Sequence, residues 1–349
     1  MPPMSGAGAA LMAAVLFGLG TPLAKILLTG ASPWLMAGIL YLGSGVGLAV
    51  LFTIRRVVGR ARHGVGLGRG QWLWLAAAIV CGGGIAPVLL MAGLAATPAS
   101  SASLLLNLES VFTALLAWFV AGEGVDRRIA VGMAAIVAGA AALGWGQPIS
   151  FTGLAGPLLI AGACLGWAAD NNLTAKVSGA DPIVIAMVKG LVAGAVNTAL
   201  ALGFGAQVPS ATLLAEAGAV GFLGYGVSLV LFVVGLSHIG AARTGAYFAV
   251  APFVGGLASV LLLGEPFSGQ LAAAGALMAL GVYLHLTEHH EHAHTHDAVT
   301  HDHMHAHDEH HRHGHDHGGE EGPHAHVHTH ATLRHKHPHY PDMHHIHSH

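Results

Sequence analysis

The residues from Gly93 to Gly139 are written a second time further along the chain. Shifted by 142 positions they fall on Gly235 to Gly281, and Gly93/Gly235, Leu94/Leu236, Ala99/Ala241, Leu115/Leu257, Gly122/Gly264, Glu123/Glu265 and Gly139/Gly281 coincide without a gap. Gly and Ala are common here, so their matches say little. Glu is scarce in this part of the chain, and its return at the same phase marks a duplication. Upstream, Ala31-Ser32-Pro33 answers Ala180-Asp181-Pro182, and the glycine pair Gly43/Gly47 answers Gly190/Gly194. The expected units are residues 1–147, residues 148–287, and a tail from 288 to 349.

A duplicated chain can be soluble or membrane-bound, and composition decides between the two. Of its 349 residues 54% are hydrophobic and 9% charged, outside the range of soluble domains. Residues 1–287 hold 11 Lys/Arg and 7 Asp/Glu. An all-α integral membrane protein in a lipid bilayer is expected. The first apolar run, from about Ala7, lacks a positive n-region and reads as a retained helix. Cys81 and Cys164 both sit in apolar runs and imply no disulfide framework.

Apolar runs long enough to cross a hydrocarbon core of roughly 30 Å, about 20 residues each, fall near 6–28, 33–54, 71–93, 98–121, 128–146, 153–175, 181–204, 212–235, 241–263 and 268–287. Ten spans give five per repeat. An odd number forces the second repeat into the membrane upside down relative to the first. Charge fits this reading. With the N-terminus cytoplasmic, Arg55, Arg56, Arg60, Arg62 and Arg69 face the cytoplasm, as do Arg127 and Arg128. Their counterparts in the second half are uncharged, and Arg243, on the inside, replaces Ser101, on the outside. Lys25 alone lies towards the outer side. Both termini are then cytoplasmic, in a bacterial-style inner membrane.

Duplicated five-span halves, each with a Gly-Glu before its last span, resemble the EamA-type permeases of the drug/metabolite transporter superfamily. The likeness covers about residues 8–287. It implies a ten-helix inverted-repeat fold with a central cavity, moving small solutes by alternating access. Members often carry Pro in the fourth helix of each half. Pro252 keeps it and Ser110 does not, so the first half is expected to bend less there.

Charged residues at a helix centre cost about 2.5 to 3.5 kcal/mol on insertion scales and so face a cavity or a partner. In the fourth span Ser100, Ser103, Asn107 and Ser110 form one polar stripe, with Glu109 and Thr113 on a nearly opposite face. Glu109 is read either as a packing residue held by Ser and Thr or as a coupling or substrate-binding carboxylate. In the sixth span Asp170, Asn171 and Asn172 sweep about 200° of a helix and cannot share one cavity. Asp170 pairs with Thr174, and Asp170 and Asn171 are read as cavity lining, with interhelical hydrogen bonding close to the cytoplasmic end as the alternative. In the seventh span Lys189 needs a counter-ion, with Asp170 and Glu109 the candidates, and reads either as half of a structural salt bridge or as a substrate or proton residue. Gly190/Gly194 permits close helix approach, and Asn197 follows two turns later. Glu109, Asn107, Asp170, Asn171, Lys189 and Asn197 are the expected substrate or coupling-ion residues. Trp34, Trp72, Trp74 and Trp118 read as interfacial anchors. His238 and His285 read as surface or packing residues.

From Glu288 the chemistry changes. The 62 residues of the tail carry 25 His, 10 Asp/Glu and 3 Lys/Arg, too little apolar surface for a core, and disorder without metal is expected. Repeated His-x-His offers imidazoles to a shared ion, and Zn, Ni, Co and Cu suit them. The expected ligands are His292, His294, His296, His301, His303, His305, His307, His313, His315, His317, His324, His326, His328, His330, His335, His337 and His339. No cofactor is required by the apolar part.

Three readings follow. The first is a secondary transporter of small solutes with a cytoplasmic chelating tail. The second is a divalent metal-ion transporter whose tail collects ions. The third is a membrane-anchored metal buffer or sensor. There is no Walker loop, nucleophile elbow or zincin helix, so neither an ATP-driven pump nor an enzyme is expected. Expected partners are the bilayer, a small-molecule or ion substrate, transition-metal ions and a second copy in a homodimer, and no nucleic acid.

Overall fold

The computed structural model describes residues 6–58, 68, 70–121, 127–145, 151–177, 180–232, 234–235, 244 and 247–286, with 291–296, 299–305, 324–330 and 333–338 in the tail. The first half contains α1 (Gly6–Leu27), α2 (Pro33–Val57), α3 (Gln71–Ala78), α4 (Ala86–Ala96), α5 (Ala99–Leu105), α6 (Leu108–Ala121) and α7 (Arg127–Leu143). The second contains α8 (Phe151–Ala175), α9 (Pro182–Gly203), α10 (Ala211–Gly221), and the helices Ala251–Leu263 and Gly269–Leu286. Among the described residues seven helices are long and apolar enough to cross a membrane, and Ala251–Leu263 and Gly269–His285 are shorter apolar helices.

The repeated Ala-x-Pro triplets are helix starts. The Ser32 side chain accepts from Leu35 N at 3.3 Å and the Asp181 carboxylate from Ile183 N at 2.9 Å, with Pro33 and Pro182 at the first helical position. A short polar acceptor satisfies an orphan N–H, and proline gives up only an N–H that would have gone unbonded.

Both third spans loosen into a π-helical segment, Ile79–Ile85 between α3 and α4 and Phe222–Val227 after α10. The two occupy matching positions in the repeats. Both fourth spans also break at matching places. In the first half α5 and α6 meet at a tight turn over Leu106 and Asn107, closed by Leu106 N to Ser103 O at 3.2 Å and Ser110 N to Asn107 O at 3.2 Å. In the second half Ala249 and Val250 form the turn before the Pro252 helix. The expectation of a straighter first half is therefore corrected. Side chains replace proline: Asn107 Nδ2 donates to Leu104 O at 2.9 Å and Ser110 Oγ to Asn107 O at 2.7 Å.

Packing is reciprocal between the repeats. Helix α2 lies along α9, α7 along Gly269–Leu286, α4 along α8, and α1 against Phe222–Val227 and Ala251–Leu263. At the α2–α9 crossing a Cβ on Gly190 would meet Gly45 and Tyr41 O, and one on Gly194 would meet Leu42. This is the close approach expected of that glycine pair.

The tail is a separate unit. Strand β1 (Glu291–His296) pairs antiparallel with β4 (Leu333–Pro338), and β2 (Val299–His305) with β3 (His324–His330). The His-x-His alternation has the period of a strand, although a two-stranded ladder is by itself only marginally stable in water.

Candidate functional site

A π-helical turn leaves backbone carbonyls without their usual partners, and inside a membrane these must be bonded by protein. Three helices supply the donors for Ile79–Ile85. Tyr41 of α2 donates its hydroxyl to Gly82 O at 2.8 Å, and Trp167 of α8 donates Nε1 to the same oxygen at 3.0 Å. Asn197 of α9 donates Nδ2 to Gly83 O at 3.0 Å and Gly84 O at 3.2 Å, and its Oδ1 accepts from Trp34 Nε1 at 3.2 Å. Trp34 also stacks on Phe204 at 5.3 Å. Trp34 is thus tied into the packing of α2 on α9, whereas Trp72, Trp74 and Trp118 are exposed.

Beside this segment lies the ion pair. Lys189 Nζ is 2.6 Å from Asp170 Oδ1 and 2.7 Å from Oδ2. Thr174 Oγ1 donates to Asp170 Oδ1 at 3.0 Å and lies 3.3 Å from Lys189 Nζ. Both charged side chains are largely buried, with 9% and 13% of Asp170 and Lys189 exposed. Asp170 also abuts Gly82 so closely that a Cβ there would overlap its carboxylate. Only glycine admits this approach.

One residue on, α8 turns to a different helix. Asn171 Nδ2 donates to Glu109 Oε1 of α6 at 2.7 Å, while Asn172 returns to its own helix through Ala168 O at 2.8 Å. The three polar residues thus diverge as their 100° spacing requires. Cys164 approaches Leu105 O and Leu106 O at 3.7 and 3.9 Å, where the turn in the fourth span frees carbonyls.

Of the expected site residues, Asp170 and Lys189 come together directly and Asn171 joins Glu109. Asn197 braces the π segment. Asn107 lies elsewhere: its amide holds the fourth-span turn and reaches Met278 Sδ at 3.8 Å. His285 Nε2 lies 3.2 Å from Ile129 O. His238 and, in the tail, His307, His313, His315, His317 and His339 lie outside the described residues. Among the described residues no group of three or more His, Cys, Asp or Glu is placed to hold a metal ion. Two apolar grooves of about 330 and 420 Å³ run along α2, lined by residues such as Val50, Ile54 and Val58. Neither involves the polar cluster.

The sequence reading missed the aromatic residues between the two π segments. Phe17 packs against Trp167, Tyr225 and Phe248 with ring centroids 6.3, 5.8 and 5.4 Å apart, and Tyr41 meets Tyr225 at 5.7 Å. Their signal was present. Gly82-Gly83-Gly84 and Gly224-Tyr225-Gly226 stand 142 positions apart, the same offset as the Gly-Glu pair.

Two repeats of apolar helices pack against each other, with the buried ion pair of the second half set against the unwound segment of the first, and together with the matches that follow they define a multi-pass membrane transporter of small solutes. The chain belongs to the EamA-like transporter family, which matches residues 4–145 and 154–287. It is 29% identical over 289 residues to an uncharacterized transporter of Methanothermobacter thermautotrophicus (strain Delta H), covering 78% of this chain and 83% of the relative. A solved structure described as "Crystal structure of protein" shares the fold. Its TM-score is 0.61 at 21% identity, over 80% of this chain and 98% of the other.

Proposed function

We propose that the protein is a secondary transporter that carries small solutes across the cytoplasmic membrane by alternating access, with both termini cytoplasmic. The observation that carries this reading is the Asp170–Lys189 pair set against the π segment Ile79–Ile85. Ionisable residues inside a membrane are kept for function, and π segments cluster at functional sites. Asp170 and Lys189 form a polar contact point for the substrate, and Glu109 with Asn171 forms a second for substrate or coupling ion. Asn197 and Trp167 hold the unwound segment. Asn107 serves the bend of the fourth span. The paired breaks and π segments give each half the same places to flex.

The tail is proposed to bind transition-metal ions through its 25 His and to act as an accessory on the cytoplasmic side. Direct metal transport is the second reading, resting on that tail. Proteoliposomes holding a Zn- or Ni-sensitive dye, made with the full chain and with a chain stopped after Thr287, test both. Metal flux in both preparations would put the metal path in the helices, and flux only with the full chain would make the tail part of the route. Flux in neither turns the search to organic solutes, read by a pH dye during a solute panel. If no solute moves or shifts the internal pH, the transport reading fails.

A further inference from the structure

Outside the polar cluster, opposite charges from distant parts of the chain grip one short turn, Leu94 to Ser100, between α4 and α5. From α1, Lys25 Nζ donates to Leu94 O, to Ala95 O at 3.3 Å and to Thr97 O at 2.9 Å. The first two lie in the last turn of α4, where carbonyls have no helical partner and the helix end is partially negative. From the second half, Glu265 accepts Ala99 N on Oε1 at 2.6 Å and Ser100 N on Oε2 at 2.9 Å. It supplies the cap that α5 lacks, since Pro98 offers no side-chain acceptor.

The Gly-Glu motif explains how Glu265 gets there. Gly264 ends the Ala251–Leu263 helix with φ of 67°, a left-handed stop that favours glycine, and the next residue reaches across to the first half. The turn also sits on a second element, α8. The Thr97 hydroxyl is buried without a hydrogen-bond partner among the described residues, and a Cβ on Gly156 of α8 would overlap it.

We propose that Lys25 and Glu265 form a latch that keeps this end of the bundle closed. Glu265 ties the halves together, and Lys25 holds the turn in the shape that presents Ala99 N and Ser100 N. Every bond in the grip lies at a helix end, where backbone groups have no helical partner of their own. The Thr97 hydroxyl is packed against Gly156 without a hydrogen-bond partner among the described residues, and lifting of the turn would open it to new partners. The closed form is thus held by two charges and opposed by one unsatisfied hydroxyl, the balance a reversible gate needs. The latch rests on the alternating-access reading.

The test needs no substrate. In a chain carrying Cys81→Ala and Cys164→Ala, Ser100→Cys reports on the latch and Ser228→Cys on the remote core; the native serines are 3% and 1% exposed. Protein in nanodiscs, with both faces in buffer, is reacted with a membrane-impermeant maleimide. Adding Glu265→Gln is expected to speed labelling at Ser100→Cys about tenfold or more, as a local opening would, with Ser228→Cys unchanged. Lys25→Gln, tested separately, is expected to do the same. Unchanged labelling at Ser100→Cys in both variants overturns the latch, and so does an equal rise at both reporters, which would mean general loosening. Flux is measured in parallel. A protein that transports while its turn stays shielded in both variants loses the latch alone, and a parent that moves nothing loses the transport reading.

Discussion

Lys189 on α9 places its ammonium 2.6 and 2.7 Å from the two carboxylate oxygens of Asp170 on α8, so each charge is the other's neutraliser. Removing one partner of a buried pair leaves the other uncompensated, at about 3 to 5 kcal/mol. Asp170→Asn alone is therefore expected to lower thermal stability in detergent markedly. Asp170→Asn with Lys189→Met is expected to recover most of that loss while flux stays abolished. A double variant that transports normally would remove the pair from the site.

Glu109 differs in that its described partner is a neutral amide, Asn171. Glu109→Gln keeps a carbonyl oxygen to accept that bond. It is expected to fold at the parent's yield, to melt within about 1 kcal/mol of it as single neutral hydrogen bonds allow, and to lose flux. Parent-like flux in proteoliposomes would show that the carboxylate takes no part.

Gly82 bears on the ion pair without being polar. Gly82→Ala is expected to displace the Asp170 carboxylate and to destabilise by about 1 to 3 kcal/mol, the usual range for overpacking. Gly84→Ala is the control, because its Cβ would come no nearer than 3.6 Å to Ile79 O. Equal melting temperatures for the two variants would contradict the close approach.

The donors to the π segment rank by what each leaves behind. Tyr41→Phe removes one of two donors to Gly82 O and is expected to cost about 0.5 to 1.5 kcal/mol. Asn197→Leu strips Gly83 O, Gly84 O and the Trp34 N–H together, so its loss should be larger, about 1 to 3 kcal/mol for each group left dry. Denaturation midpoints in the same detergent check the order.

Tail chelation has a pH signature. Imidazole binds metal only when neutral, and its reference pKa is about 6.5. Zn or Ni retained by the full chain after desalting is expected to be high near pH 7.5 and to fall as pH drops through about 6. A chain stopped after Thr287 should retain little at either pH. Retention that ignores pH would point away from the histidines.

Much of this was legible from residue order. The Gly-Glu pair at a 142-residue offset announced the duplication, and the apolar runs announced helices. The Asp170–Thr174 contact followed from i, i+4 spacing, and Lys189 had two named candidates for a counter-ion. Other features were not legible. Ser110 in place of proline suggested a straighter fourth span, yet Asn107 and Ser110 make the bend by bonding free carbonyls. By helical phase Asn107 falls in one stripe with Ser100, Ser103 and Ser110, opposite Glu109, and the turn at Leu106 and Asn107 breaks the phase on which that stripe depends. Trp34 looked like an anchor because it sits at a span end, and only the packing of α2 on α9 brings it to Asn197.

The sequence by itself determined the class of fold, since about 20 apolar residues in lipid must bond their own backbone as helix. It also determined where helices start, because Ser32-Pro33 and Asp181-Pro182 act within one turn. Only the tertiary structure decided which charges meet. Lys25 with the end of α4, Glu265 with the start of α5, and Asn171 with Glu109 are 62 or more residues apart. Local periodicity fixes the face a side chain occupies, and the packing of the two halves fixes what that face meets.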